Sequence, residues 1–348
     1  MASVRGRGTG DNPRNRFYRR SVEVDPESLD PDAPLPRTQF LKDTSRSIIA
    51  RNDSPDVGFD SSVNPYRGCE HGCVYCYARP YHEYLGFSSG LDFETKILVK
   101  EDAPELLRQE LSSPKWKPQV IALSGATDCY QPAERAYRLT RRCLEVLVEF
   151  RNPVIVITKN HLVTRDVDLL SELAKHQAAA VVVSITTLDP VLGRVMEPRT
   201  STPVRRLAAL STLSAAGIPA GVNVAPIIPG LTDSEVPAIL KAAAAAGARF
   251  AGRTIVRLPH SIKELFTTWL TEHYPDRKDK VLNRIREVRD GGLNDARYGS
   301  RMTGEGVYAE QIEALFELSR KRAGIGEDRA ELSTSAFRVP PGPQLTLF

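Results

Sequence analysis

Three cysteines within eight residues, Cys69, Cys73 and Cys76, are the clearest chemical feature of this sequence. They lie in Asn64-Pro65-Tyr66-Arg67-Gly68-Cys69-Glu70-His71-Gly72-Cys73-Val74-Tyr75-Cys76-Tyr77-Ala78-Arg79. The arginine-rich start of the chain has no apolar signal core, and in a reducing cytosol clustered thiols ligate metal in preference to forming disulfides. A C-x3-C-x2-C loop offers three thiolates to three irons of a cubane and leaves the fourth iron open to a ligand that is not protein. The competing site is a closed zinc tetrahedron completed by His71 or His82. A second CxxC pair would favour zinc, but Cys129 and Cys143 stand far apart, so the spacing favours the iron–sulfur cluster.

Such a loop needs elements to hold it. Short apolar runs at 119–124, 154–158, 180–185, 219–224 and 249–256 follow it, starting about thirty residues apart, the length of a βα repeat. Amphipathic stretches at 134–150, 163–175, 203–216 and 233–246 separate them and predict helices. Continuous Val, Ile and Ala suit strands covered on both faces, as in a parallel sheet. With the segment before Cys69 there are about six βα units, an α/β fold that is either an open doubly wound sheet or an incomplete barrel. Polar clusters end several of the runs: Thr127, Asp128 and Cys129; Thr158, Lys159 and Asn160; Ser184, Thr186 and Thr187; Asn223. Chemistry gathered at successive strand ends is what a barrel active site requires.

The motif, with an aromatic residue before its last cysteine and a βα repeat behind it, resembles the radical SAM superfamily. The resemblance extends over about residues 45–258 to the spore-photoproduct-lyase-like, or DNA repair photolyase-like, branch. It is carried by 64–79, Ser124-Gly125-Ala126-Thr127-Asp128, Thr158-Lys159, Val183-Ser184-Ile185 and Ala225-Pro226-Ile227-Ile228-Pro229-Gly230. It implies a partial (β/α)6 barrel of parallel strands and a [4Fe–4S] cluster on Cys69, Cys73 and Cys76. S-adenosyl-L-methionine would bind the open iron and be cleaved to a 5′-deoxyadenosyl radical that abstracts hydrogen from the substrate. A flavodoxin or ferredoxin is implied as electron donor. Tyr75 is expected at the adenine, with Thr127, Asp128, Lys159 and Ser184 around the cofactor; a cationic Lys and hydroxyls suit its carboxylate and ribose. The branch keeps a hydrogen-donating cysteine near the first strand's tip, whereas Cys129 falls a few residues later. The lyase reaction is therefore not carried over, and Cys129 is a candidate donor that packing explains as well.

The chain has 348 residues and a net charge of +4, with positive charge concentrated in residues 1–20 and 277–301. That fits contact with nucleic acid, as it fits a solvated arm or helix face. Arg194, Glu197, Arg199, Arg205 and Arg206 follow the fourth strand and could face an anionic substrate; Tyr66, Tyr77 and Tyr81 could relay electrons or pack. No apolar stretch approaches the length of a membrane span, so a cytoplasmic location is expected. The expected layout is a basic, poorly ordered arm at 1–44, the barrel at 45–272, a basic helical extension at 273–330 and a Pro-rich tail at 331–348. The tail ends in Gln344, Leu345, Thr346, Leu347 and Phe348, which resembles peptides that bind the DNA sliding clamp. The leading expectation is a radical SAM enzyme acting on nucleic acid, in DNA repair or processing. The alternatives are the same chemistry on a protein, peptide or small metabolite, and a zinc-stabilised nucleic-acid-binding module.

Overall fold

A computed structural model describes residues 4–19, 36–327 and 330–341. The described residues form ten strands: β1 (Gln39–Lys42), β2 (Ile49–Arg51), β3 (Ser61–Val63), β4 (Tyr66–Arg67), β5 (Lys96–Val99), β6 (Ile121–Leu123), β7 (Val154–Thr158), β8 (Ala179–Ser184), β9 (Ala220–Ile227) and β10 (Phe250–Ile255). Seven form one sheet in the order β10-β9-β8-β7-β6-β3-β2. Every neighbouring pair is parallel except β2 on β3, so β3 and β6 to β10 are six parallel strands. The sheet ends at β10 and β2 without closing, which is the expected partial barrel. A small second sheet, β1-β5-β4, flanks the cysteine loop.

The apolar runs become strands because both faces are covered. β8 is almost wholly buried and pairs β7 from Val154↔Ala179 to Thr158↔Val183. Helices Leu139–Phe150, Val167–Ala174, Pro203–Ala215 and Val236–Ala245 pack outside the sheet around Leu144, Leu147, Leu170, Leu210 and Leu240. The helix expected at 134–150 is broken at Arg138, whose backbone is left-handed (φ 53°). Those expected at 163–175 and 233–246 begin as 3-10 turns.

The layout expected along the chain is altered in three places. Residues 4–19, expected to be poorly ordered, lie on the cysteine loop: Asn15 Nδ2 donates to the Glu83 and Phe87 carbonyls, and Arg16 pairs with Glu83. Helix Ile262–His273 crosses the boundary expected after residue 272, and helix Pro275–Glu287 follows it. Their Phe266, Trp269, Val281, Leu282 and Ile285 share one core with Cys73, Val74 and Tyr75, because apolar helix faces need burial and the loop offers it. Three of the eight basic residues at 277–301 are paired internally: Arg284 with Glu287, Arg297 with Asp295 and Arg301 with Asp56. Residues 333–338 cross the foot of the barrel, where Ser333 N donates to the Gln177 carbonyl and Arg338 N to that of Phe150. The clamp-like residues 344–348 lie outside the described residues. Among the described residues no helix is long and apolar enough to cross a membrane.

β9 and β10 meet around a missing side chain. Gly221 is the register partner of Phe250, and a Cβ on Gly221 would stand 2.2 Å from the Phe250 ring. Overpacking of this kind costs about 1–3 kcal/mol. Gly221→Ala should lower the urea midpoint by a corresponding amount, and Phe250→Leu in the same chain should recover part of the loss. An unchanged midpoint in the single variant would contradict this packing.

Candidate active site

The loop from Gly68 to Arg79 sits at the C-terminal ends of the parallel strands and is gripped from beneath. Arg79, fully buried, donates from Nε to the Cys73 carbonyl (2.9 Å) and from Nη2 to the Gly72 carbonyl (3.1 Å). Its Nη1 reaches the Ser89 and Gly90 carbonyls, and Nη2 pairs with Glu94 Oε1 at 2.5 Å, with both side chains wholly enclosed. Glu94 in turn accepts from Gly8 N (2.9 Å) and the Thr9 hydroxyl (3.2 Å), which ties the N-terminal segment to the loop. The backbone has no spare room: Gly72 is left-handed (φ 67°), and a Cβ there would stand 2.5 Å from Glu94 Oε2. A Cβ on Gly8 would collide with the Gly72 carbonyl at 1.7 Å.

All three cysteines are unpaired in disulfides, and their thiols are near enough to act on one another electrostatically. Burial pushes each thiol up, and for Cys69 the charge of Asp128 adds to it. Lys159 and Arg206 oppose the rise at Cys73, and Arg79 and Lys159 do so at Cys76. A strongly cationic centre is what such a trio needs to become thiolates. Among the described residues, no three His, Cys, Asp or Glu side chains converge around a single-ion position. Cubane thiolates each take a different iron, so they need not converge as zinc ligands do. Of the two histidines in the zinc alternative, His71 has both ring nitrogens engaged, while His82 keeps a buried, unpartnered Nε2 that joins no metal-holding group with the cysteines among the described residues. His71 faces Asp128 through Nδ1 (3.4 Å) and Asn160 through Nε2 (3.1 Å), and His82 packs against Phe87 and Phe93. The donor set therefore fits a cluster with an open position better than a closed zinc site.

The strand ends bring the remaining expected residues to this loop in differing roles. Asp128 accepts from Tyr130 N (2.8 Å), the Thr158 hydroxyl (2.7 Å) and Lys159 N (2.8 Å). Burial opposes its ionisation, but the facing His71 and these hydrogen bonds outweigh that and hold the carboxyl down at about 2. With its oxygens so occupied, Asp128 fastens the ends of β6 and β7 to the loop. The Thr127 hydroxyl donates to the Tyr66 carbonyl (2.8 Å). The Ser184 carbonyl accepts from Arg206 (3.0 Å), while its hydroxyl has no partner among the described residues. Lys159 Nζ lies 5.9 Å from the Tyr75 ring centroid, also without hydrogen bond or ion pair among the described residues. Cys129 lies apart in the main core, with its thiol 3.7 Å from the Leu123 carbonyl oxygen and burial raising it well above the ordinary range. That environment suits packing.

Arg199 and Arg206, expected at the barrel mouth, are turned inward. Arg206 is fully buried and pairs with Glu197, which also accepts from the Tyr75 and Thr186 hydroxyls. Burial opposes the charge on Glu197, and Arg206 and Lys159 outweigh it, lowering the carboxyl below its usual range. Arg199 is held by Glu70 at 3.1 Å. Arg194 and Arg205 are exposed. Of the tyrosines, Tyr66 is buried against Glu134, while Tyr77 remains partly exposed with its hydroxyl donating to the Gly125 carbonyl. The sequence reading missed Glu94, whose segment carries no motif; Glu197 and Arg206 were visible but assigned to substrate.

A family model described as Radical SAM superfamily matches residues 63–243, just over half of the chain. An uncharacterized protein of Mycobacterium tuberculosis is 40% identical over 234 residues, covering 66% of this chain and 67% of its own. Another, of Methanocaldococcus jannaschii, is 32% identical over 173 residues, covering 50% of this chain and 62% of its own. Spore photoproduct lyase complexed with dinucleoside spore photoproduct has the same fold, with TM-score 0.56 at 16% identity over 82% of this chain and 78% of its own. A variant of that lyase with bound AdoMet and the dinucleoside gives 0.53 at 17% identity, covering 82% and 77%.

Glu94→Ala leaves the Arg79 guanidinium buried without its counter-charge, a change that costs about 3–5 kcal/mol. Denaturant unfolding of the iron-free protein should show a loss of that size. A midpoint equal to wild type would mean that the pair does not hold the loop.

Proposed function

This chain is an enzyme of the radical SAM superfamily, and from that premise we propose that Cys69, Cys73 and Cys76 hold its cluster and that its substrate is nucleic acid. The observation that carries the reading is the placement of three free cysteines of one loop at the strand ends of a parallel partial barrel, beside a lysine that makes no ion pair or hydrogen bond among the described residues. A [4Fe–4S] cluster bound there, once reduced by a carrier such as a flavodoxin or ferredoxin, would supply the electron that cleaves the sulfonium of S-adenosylmethionine.

The protein's own groups then divide the cofactor. Lys159 suits its carboxylate as the available cation. The Ser184 hydroxyl is free to meet a ribose hydroxyl. Tyr75 has committed its hydroxyl to Glu197, so its ring is what remains for an adenine. Asp128 and Thr127 act as positioning residues, since their polar atoms are spent on Lys159 N, Thr158, Tyr130 N and the Tyr66 carbonyl. Cys129 is a packing residue. Helices Ile262–His273 and Pro275–Glu287 exclude water from one flank of the loop.

For the substrate, support comes from the fold shared with a lyase solved with a dinucleoside lesion, and from cationic groups at the mouth. The chain's termini lend less, because several arginines of residues 4–19 and 277–301 are neutralised internally.

Anaerobically reconstituted protein should carry about four irons per chain. With dithionite it should form 5′-deoxyadenosine from S-adenosylmethionine, and ultraviolet-damaged DNA should raise the rate and lose its lesion. Cofactor cleavage with no response to any nucleic acid would place the substrate elsewhere; one zinc and no cleavage would remove the whole reading. Lys159→Ala should weaken cofactor binding about tenfold to hundredfold, as loss of a charged hydrogen bond does. Unchanged affinity would dismiss that role.

A further inference from the structure

We propose that Arg257 forms a substrate subsite for the phosphodiester of a nucleic acid, an inference that rests on the nucleic-acid reading above. β10 ends at Ile255, so Arg257 stands two residues beyond the C-terminal end of the last parallel strand, on the face that also carries the ends of β6, β7 and β8. Its guanidinium carbon lies 4.7 Å from the centroid of the Tyr77 ring. Tyr77 directly follows Cys76, and its hydroxyl donates to the Gly125 carbonyl just past β6. The ring therefore bridges the mouth from β6 to β10 next to a cluster cysteine, with the guanidinium laid against it.

The neighbouring arginines are all occupied. Arg289 donates to the Ile255, Val256 and Ser300 carbonyls. Arg301 pairs with Asp56 at 2.5 Å. Asp56 is the carboxylate whose field reaches Arg257, and it is already taken. Arg257 is partly buried and has neither hydrogen bond nor ion pair among the described residues. A partly desolvated cation without a counter-charge is costly to the free protein, and an incoming anion recovers that cost. A guanidinium fork meets a phosphate with two parallel hydrogen bonds, and stacking on Tyr77 orients its plane in advance.

The two unpaired cations at the mouth thus have separate surroundings. Lys159, just past the end of β7, acts on Cys73 and Cys76 and is the cation proposed for the cofactor carboxylate. Arg257, at the end of β10, is set on Tyr77. One serves the cofactor and the other the substrate backbone.

The test uses full-length, iron-loaded protein with S-adenosylmethionine and no reductant. The probes are thymidylyl-thymidine and the same dinucleoside joined by a neutral formacetal linker. Wild type should bind the phosphodiester at least about tenfold more tightly, and Arg257→Ala should lose about tenfold to hundredfold for that probe alone. Arg257→Lys should recover part of the loss, since it restores charge without the fork. Thermal melts and iron content establish that the variants fold, and Arg257→Gln stands in for an alanine variant that does not. Wild type that prefers the phosphodiester while Arg257→Ala and Arg257→Gln bind it equally well would overturn the assignment to Arg257 and leave the nucleic-acid reading intact. Equal binding of both probes by wild type would overturn the phosphate subsite. Binding of neither, with no binding of longer DNA, would overturn the nucleic-acid reading together with it.

Discussion

The buried pair of Arg79 and Glu94 is the constraint on which the site depends. An enclosed ion pair contributes little net stability by itself, because the desolvation of both charges offsets much of their attraction. Its effect here is geometric. The guanidinium distributes its donors over the carbonyls of Gly72, Cys73, Ser89 and Gly90. Those bonds fix the backbone between the first two cysteines. Glu94 turns the other way and takes Gly8 and Thr9, so an N-terminal segment that would otherwise be an arm becomes part of the loop's support. The left-handed Gly72 and the close approach of Gly8 are consequences of that crowding.

A second set of interactions ties this loop to the barrel. Asp128 connects the ends of β6 and β7 to His71, and His71 passes the connection to Asn160. Glu197 connects Tyr75 to Arg206 and, through it, to the carbonyl at the end of β8. Three strand ends are thereby locked to the loop by buried charges whose hydrogen bonds are satisfied, which is the condition under which buried polar networks rigidify a site. Lys159 and Arg257 stand at the mouth outside this network, with no ion pair among the described residues.

Much of this was legible in the sequence. The thiol spacing, the βα period and the polar residues at strand ends are local patterns; they pointed to a parallel α/β fold, with strand 154–158 matching β7 end to end, and left open sheet and incomplete barrel as alternatives, between which the family resemblance chose the partial barrel. The pairings were not legible. Arg206 and Glu197 looked like substrate-facing charges because sequence shows charge without direction, and only packing turns Arg206 inward to the Ser184 carbonyl. Glu94 carries no motif, and its importance comes from meeting a residue fifteen positions earlier and another eighty-six earlier. The way residues 273–287 join the loop's core was not legible for a related reason. Helix Pro275–Glu287 reads as basic, but a few apolar residues on one face bind it to the core of the cysteine loop.

The claim on which the account turns is that three thiolates, and no fourth protein ligand, hold a cluster with one open iron. Electron paramagnetic resonance of the anaerobically reconstituted, dithionite-reduced protein, recorded with and without S-adenosylmethionine, tests it most directly. A reduced cluster signal whose g-values shift when the cofactor is added is the predicted result. A cluster signal indifferent to the cofactor, or a diamagnetic protein carrying zinc, would contradict it.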